Sequence, residues 1–316
     1  MRKLKQQWVA KAQGVRIGIG QPRHLQNLRF ADDTLLVGKS LPQVHKMLVG
    51  LSEEAARVGL QVHMGKTKIL SNVVKRRGAA AAKEVLVAGQ PVAVLPLEGQ
   101  VAYLGKQLTL ADDHHDVELD HRIARGWAKF MANKKELCNR NYSLADRLRL
   151  FNAVITPTVL YGSGSWTMTQ ERRRRLRAAE RKMLRKVLCA PRRTAQDDDV
   201  IGADGREESW QEWLQRTARS LDAEVKKGAV ADWVAEQRRR KWGWAGHVAR
   251  RRDGHWTSRM LHWLPHGGER SRGRPATRWE DELEVFFKTR GMRWEDCAQD
   301  RGAWGQLEQI FVEAVR

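Results

Sequence analysis

The sequence predicts an α+β protein, with a small antiparallel sheet in its first third and mainly helices after it. Up to about residue 110, short apolar stretches with the period of two typical of strands surround one stretch of helical period. The order strand, strand, helix, strand favours a sheet covered by helices on one face. From about residue 116, apolar residues recur at helical spacing, which predicts helices through to the end of the chain.

Two adjacent acids lie within an apolar segment near the start of the chain. Asp32 and Asp33 follow Phe30, and a β-forming run continues to Val37. Removing ionised carboxylates from water is costly unless something pairs with them. We therefore expect a β-hairpin whose tip presents both acids to a cation. An ordinary polar turn is the alternative interpretation, because Asp is a frequent turn residue.

The segments that follow the acids continue the alternation of strands and helices. Apolar spacing from residue 44 to residue 58 predicts an amphipathic helix that ends at Gly59. Three further stretches predict a strand, a hairpin and a short strand: Leu60 to Met64, Val85 to Val94 and Val101 to Gly105.

The second half of the chain carries several helix-start signals. Ser143 precedes Asp146 by three positions, and Thr167 to Gln170 opens a helix rich in arginine. Ser209 to Glu212 and Thr277 to Glu280 repeat the capping pattern. The acidic, glycine-containing stretch after residue 196 is typical of a linker, so we expect three regions: 1–110, 111–195 and 196–316.

Charge is the strongest signal in the composition. The chain carries a formal net charge of +21 and a pI near 10.4, which indicates a polyanionic partner such as nucleic acid. The 41% apolar and 30% charged content indicates a folded protein and excludes a disordered one. The widely spaced Cys138, Cys189 and Cys297 argue against a zinc or disulfide framework. Without a secretory or membrane-spanning pattern, we expect a soluble, intracellular protein, in either nucleus or cytoplasm.

Two other clusters have chemistry of their own. In the tryptophan- and arginine-rich tail, the side chains suited to stacking on bases or neutralising phosphates are Arg239, Arg240, Lys241, Trp242 and Trp244. The alternative for this tail is a helical module with the tryptophans in its core. The acids and histidines from Asp112 to Asp116 have metal-ligand chemistry, but contiguous ligands rarely face one ion, which favours a solvated loop.

Several segments, in their order along the chain, resemble the reverse transcriptases of non-LTR (LINE-type) retrotransposons. Phe30 to Asp33 resembles the catalytic box of the palm, and Glu54 to Lys68 resembles the segment after it, with His63 where asparagine is usual. Tyr103 to Gly105 is similar to the strand near the primer end. The remaining matches are to the thumb and the C-terminal tail: Leu150 to Trp166, Trp242 to Arg250, Gly273 to Pro275, and Trp279.

The resemblance implies a partial palm in 1–110, a helical thumb-like region in 111–195 and a nucleic-acid-binding tail in 196–316. Its reaction is two-metal transfer of deoxynucleotides to a DNA primer on an RNA template, with Mg²⁺ or Mn²⁺ as cofactor. Asp32 and Asp33 would hold metal, Lys66 would act on the leaving pyrophosphate, and Lys68, Tyr103 and Gly105 would contact nucleic acid. For the two lysines, a solvated strand edge is the alternative.

One departure from the family pattern limits this expectation. The palm needs a third carboxylate on an earlier strand, and none of the 31 residues before Asp32 is Asp or Glu. We therefore expect this chain by itself to bind nucleic acid without efficient polymerisation. The alternatives are a non-catalytic RNA- or DNA-binding relic or domesticated fragment, and a fragment that does not accumulate as a folded protein.

Overall fold

The computed structural model describes residues 2–18, 23–72, 83–193, 207–251, 253–254, 256–261, 263 and 277–314. The chain divides into two compact units, one of residues 1–118 and 251–276, the other of residues 119–250 and 277–316. The described helices are α1 Arg2–Ala10, α2 Leu41–Ala56, α3 His114–Ala132, α4 Lys134–Leu137, α5 Leu144–Val159, α6 Gln170–Leu188, α7 Trp210–Lys226, α8 Trp233–Ala249, α9 Trp256–Leu261, α10 Asp281–Lys288, α11 Trp294–Cys297 and α12 Arg301–Glu313. The strands are β1 Val15–Ile17, β2 Arg23–Leu25, β3 Asn27–Phe30, β4 Asp33–Leu36, β5 Lys68–Leu70, β6 Glu84–Val87, β7 Gln90–Leu95, β8 Val101–Tyr103 and β9 Lys106–Leu108.

The strands of the first unit form several small sheets around α2. Within the described residues, β1–β2, β3–β4 and β8–β9 are separate antiparallel pairs, and β5, β7 and β6 form one three-stranded sheet. In that sheet β5 runs parallel to β7, with Lys68 opposite Ala93. The α+β class is therefore confirmed in general terms. The expectation of a single antiparallel sheet is corrected, because the short strands pair locally.

Helix α2 provides the core of the first unit. Ser40 begins it by accepting a hydrogen bond from the backbone N–H of Gln43, and Pro42 lies in the first turn, where no donor is lost. Its buried Leu48 packs with Ile69 and Val92 of the three-stranded sheet. On its other side, the buried Met47 packs with Leu4 and Trp8 of α1. The predicted amphipathic helix is thus present, and α1 is a helix that the sequence patterns did not predict.

The predicted strand from Leu60 to Met64 is wrong. The N–H of Leu60 instead donates to the carbonyl of Ala55 and closes the end of α2, and the N–H of Thr67 donates to the carbonyl of His63 in a turn. Met64 is nevertheless buried in the core. The apolar alternation therefore predicted the burial of Met64 but not the exposure of Leu60, which is 65% exposed, and the backbone donors are used by a helix end and a turn.

The second unit is a helical assembly with two packed clusters. The larger cluster joins α3, α5, α6, α7 and α8 through buried side chains that include Phe151, Met183 and Trp233. Ser143 and Ser209 cap α5 and α7 as predicted, and Ser209 and Glu212 form a complete capping box. Thr277 does not begin a helix, because α10 starts at Asp281 with Glu280 as its cap. Pro157 lies within the last turn of α5 and does not stop it.

The smaller cluster is a stack of aromatic rings. Trp242 lies 3.8 Å from Trp304 between ring centroids, with Phe286, Phe287 and Phe311 around it. The two indoles also exchange hydrogen bonds with each other's backbone carbonyls, at 3.1 and 3.3 Å. These rings hold α8 against α10 and α12 in the second unit.

Helix α8 approaches the ring of Trp304 closely at a glycine. A Cβ atom on Gly246 would lie 2.6 Å from Nε1 of Trp304, so a larger residue would push the helices apart.

A buried ionic cluster lies beside these rings. Glu282 of α10 accepts from Lys241 of α8 at 2.9 Å and from Arg173 of α6 at 2.8 Å, and also pairs with Arg238 of α8. Burial alone would raise the pKa of Glu282, but the three cations outweigh it and hold that pKa below its usual value. Burial lowers the pKa of Lys241, and the negative charge of Glu282, which raises that pKa, offsets the effect only in part. One carboxylate thus ties three helices together.

The observed units divide the chain differently from the three predicted regions. The first unit ends near residue 118, close to the predicted boundary at 110. Helices α6 and α7 belong to the same unit, although a boundary was predicted between them, in a stretch outside the described residues. In the part of the chain that the structure describes, no helix combines the length and apolarity needed to cross a membrane.

We expect Trp242→Ala to destabilise the second unit strongly. Removing a fully buried indole leaves a cavity and removes the hydrogen bond to the carbonyl of Trp304, which should lower the free energy of unfolding by about 3–5 kcal/mol. Trp244→Ala is the matched control, because it makes the same change in α8 at a side chain that is 39% exposed. It should cost less than about 1 kcal/mol. Denaturant unfolding followed by circular dichroism would measure both, and equal losses would contradict the assignment.

Candidate functional site

The Asp32–Asp33 segment forms the predicted hairpin. Phe30 pairs with Asp33 across a two-residue turn, in which Ala31 adopts a left-handed φ of 50°. Asp32 lies in the turn and Asp33 begins β4, and both side chains are exposed. Phe30 is 64% exposed beside them. The hairpin therefore presents two carboxylates and an aromatic ring to solvent.

Tyr103 lies within electrostatic reach of the hairpin. Burial raises the pKa of Tyr103, and the negative charge of Asp33 raises it further. Tyr103 ends β8, and Leu104 and Gly105 form the next turn with φ values of 48° and 76°, a pair of positive values suited to a tight hairpin. The fold thus brings together two motifs that are about seventy positions apart in the sequence.

The lysines predicted beside the acids lie on a separate segment. Lys66 occupies an exposed turn, where its N–H donates to the carbonyl of His63 at 3.1 Å. Lys68 is exposed at the start of β5, an outer strand among the described strands of its sheet. Neither lysine forms an ion pair with Asp32 or Asp33 in the described structure. Their roles on pyrophosphate and nucleic acid therefore stay predictions.

The two acids fit a divalent cation only in part. Carboxylate oxygens are the ligands that Mg²⁺ and Mn²⁺ favour. Within the described residues, however, no group of three or more His, Cys, Asp or Glu side chains is placed to hold a metal ion. The same holds for the Asp112 to Asp116 stretch, part of which begins α3. The described residues do not complete a two-metal site, and we derive no metal-dependent step from them.

The five predicted contacts in the tail separate into buried and exposed groups. Lys241 and Trp242 are each 1% exposed, engaged with Glu282 and with Trp304 respectively. Their predicted contact with nucleic acid is corrected, because in this fold they serve the core. Arg240 is partly buried and donates to Glu236 at 2.9 Å and to the carbonyl of Leu160 at 2.7 Å.

The exposed members of the tail are Arg239 and Trp244 on α8. Arg239 is exposed and pairs with Glu236 at 3.5 Å, where solvent screens the attraction. Trp244, five residues further on, stacks on His247 with 5.4 Å between ring centroids. Five residues correspond to well over one helical turn, so the guanidinium and the indole lie on different sides of α8 and do not form one contact surface.

One cationic surface was not singled out as a site in the sequence. On α6, the exposed basic residues are Arg174, Arg177, Lys182 and Lys186, which we call the α6 cationic face. Arg174 pairs with Glu171, but no described carboxylate forms an ion pair with Arg177, Lys182 or Lys186. These cations recur at helical spacing on the side of α6 opposite the buried Leu176 and Met183. That spacing alone could have predicted a solvent-facing basic surface.

One comparison with known proteins identifies the family. The chain is 32% identical to an uncharacterized transposon-derived protein of Caenorhabditis elegans over 293 residues, which cover 89% of this chain and 94% of that protein. The chain belongs to this family of transposon-derived proteins. No protein-family model matches the chain, and no solved structure matches it significantly.

Membership of this family supports part of the sequence interpretation. A transposon origin agrees with the expectation of a retrotransposon protein in its coarse form. The name of the relative specifies neither the class of element nor an activity. Descent from a reverse transcriptase therefore stays a prediction for this transposon-derived chain.

We expect Asp33→Asn to lower the pKa of Tyr103, because it removes a negative charge that favours the neutral phenol. The chain has three tyrosines, so ultraviolet absorbance during an alkaline titration can follow them, and Tyr103→Phe assigns the relevant step. Asp32→Asn is the control and should shift that step less. An unchanged Tyr103 titration in Asp33→Asn would show that the hairpin and β8 are not neighbours.

Proposed function

We propose that this transposon-derived chain descends from a LINE-type reverse transcriptase and binds nucleic acid through its helical unit, without efficient polymerisation by itself. The observation that carries the proposal is the α6 cationic face. Three of its exposed cations, Arg177, Lys182 and Lys186, have no described carboxylate partner, on a protein whose net charge is +21. A polyanion is the ligand class that such a surface attracts.

The arrangement of the cations suits a phosphate backbone. Nζ of Lys182 lies 5.8 Å from the ring centre of Trp127 on α3, so the lysine is positioned across two helices. Lys186 and Lys134 both act on the thiol of Cys138, so these two cations lie near one another at the ends of α6 and α4. Positive charge therefore continues from α6 onto α4, which favours contacts with a phosphate backbone.

The descent from a reverse transcriptase rests on the order of the motifs and on one spatial relation. The aromatic-Ala-Asp-Asp hairpin and the Tyr-Leu-Gly turn are distant in sequence, yet Tyr103 responds to the charge of Asp33. Such a relation is expected if both segments line one former active site. The relative's printed origin, a transposon, is consistent with this descent.

The proposed lack of efficient polymerisation follows from the chemistry of the hairpin. In two-metal phosphoryl transfer, several carboxylates bind the ions that position the attacking and leaving oxygens. In the described structure the hairpin offers Asp32 and Asp33 alone, without a third neighbouring ligand. Losing a metal ligand reduces such reactions by orders of magnitude, so binding is the activity we expect from this chain.

We expect the double variant Lys182→Gln/Lys186→Gln to weaken binding and to reduce its salt dependence. Each lost phosphate contact should lower the slope of log affinity against log salt by about 0.7 on single strands and about 0.9 on duplex DNA. Fluorescence anisotropy with a labelled RNA and a labelled DNA of equal length, at several salt concentrations, measures both quantities.

The matched control is Lys3→Gln/Lys5→Gln, which removes the same charge from exposed positions of α1. It should change the slope by much less than the α6 double variant. Equal effects of the two variants would mean that net charge alone drives binding, and would overturn the assignment to α6.

We also expect no primer extension beyond that of an Asp32→Ala/Asp33→Ala variant. The assay uses the purified chain with an RNA template, a DNA primer, deoxynucleotides and Mg²⁺ or Mn²⁺, and gel separation of the products. Binding by the variant should equal or slightly exceed that of the parent, because two negative charges are removed. Robust extension that the variant abolishes would overturn the non-catalytic part of the proposal and leave the binding part intact.

A further inference from the structure

Two cysteines that are distant in sequence meet at the ends of two helices. Cys138 caps the C-terminus of α4, and Cys189 caps the C-terminus of α6 with a left-handed φ of 52°. Sγ of Cys189 lies 3.2 Å from the carbonyl oxygen of Cys138, across a separation of 51 residues. The Cys189 thiol also raises the pKa of the Cys138 thiol, so the two side chains lie close to each other.

The surroundings of this pair favour thiol chemistry. Nη1 of the buried Arg147 lies 3.6 Å from Sγ of Cys189, so a positive charge stands beside the sulfur on which negative charge must develop for attack. Burial and the neighbouring Cys189 thiol raise the pKa of Cys138, and Lys134 and Lys186 offset this only in part, which suits Cys138 to the second step rather than to the first attack. Both cysteines are only partly buried, which leaves a path for a small oxidant.

We propose that Cys138 and Cys189 form a reversible disulfide site that is oxidised by a peroxide. Nothing in the proposed nucleic-acid binding requires this site, and it rests on separate observations. Sγ of Cys189 already lies against the backbone of Cys138, so small movements of the side chains and helix ends would bring the sulfurs together. Because both residues lie where a helix ends, small backbone adjustments disturb few helical hydrogen bonds.

The chemistry balances in two steps. The thiolate of Cys189 attacks one oxygen of hydrogen peroxide, which yields a sulfenic acid and, after protonation, one water. The thiol of Cys138 then loses its proton, attacks that sulfur and displaces hydroxide, which leaves as a second water. Two thiols and one peroxide become one disulfide and two waters, with two electrons passing from sulfur to oxygen. A dithiol reductant reverses the oxidation by thiol–disulfide exchange.

The third cysteine is an internal control. Burial raises the pKa of the Cys297 thiol, and the charge of Asp300 raises it further, which disfavours the reactive thiolate. Cys297 is also free, like the other two, but among the described residues no second thiol lies against it. We therefore expect it to stay reduced under conditions that link the pair.

The experiment treats the full, reduced chain with dilute hydrogen peroxide and digests it with trypsin without reduction. We expect one cross-linked species that joins Glu136–Arg140 to Val187–Arg192, lighter by two hydrogens than the sum of the peptides and separated by a dithiol. The peptide Trp294–Arg301 should remain reduced. Oxidation of Cys297 at the same rate, or linkage of Cys297 to either partner, would overturn the proposal.

Three variants keep the test independent of any loss of stability. Cys297→Ser should yield the same cross-linked species. Cys138→Ser should lose it and leave a sulfenic acid on Cys189 that dimedone traps, and Cys189→Ser should lose it without dimedone labelling of Cys138. Cross-linked dimers that replace the intramolecular species in the parent chain would also overturn the proposal.

Discussion

The second unit depends on how a strongly basic chain accommodates its buried cations. Lys241 and Arg238 of α8 are almost fully buried, and Arg173 of α6 reaches the same place. Unpaired, such charges would cost several kcal/mol each. Glu282 forms ion pairs with all three cations. Phe311 also contacts Arg238: the centre of its ring lies 4.1 Å from the guanidinium carbon, and its backbone carbonyl accepts a hydrogen bond from Nε of Arg238 at 3.1 Å. That one carboxylate therefore ties α6 and α8 to α10, and Arg238 extends the same cluster to α12.

This arrangement separates two roles that basic residues have in the protein. The cations that face the core pair with Glu282 or with backbone carbonyls, so they are unavailable to a ligand. Those on the outer face of α6 remain solvent-facing, without described carboxylate partners at Arg177, Lys182 and Lys186. Helix α8 shows the division within a single run, because Arg238 and Lys241 point inward while Arg239 is exposed. The proposed binding surface, the α6 cationic face, therefore consists of cations that do not take part in the buried ionic cluster.

The first unit shows how much of the fold short-range pattern can predict. The hairpin at Asp32 and Asp33, the helix after it and the Val85 to Val94 hairpin all follow from alternation, helical spacing and turn residues, and all are present. The segment from Leu60 to Met64 has the same alternation without being a strand, since its backbone donors close a helix end and a turn. Strand pairing depends on contacts between residues that are distant in the sequence. The local apolar pattern therefore could not predict the separate sheets or the parallel β5–β7 pair.

The sequence by itself determined the α+β class, the sites of several helix caps, the basic character and the hairpin that carries the acids, because each depends on neighbouring residues or on composition. Only the tertiary structure decided which of the five cations and indoles between Arg239 and Trp244 are buried. It also decided that Tyr103 lies near Asp33, and that Cys189 meets Cys138. Those outcomes depend on contacts between residues far apart along the chain, where the packing of one element sets what another can expose.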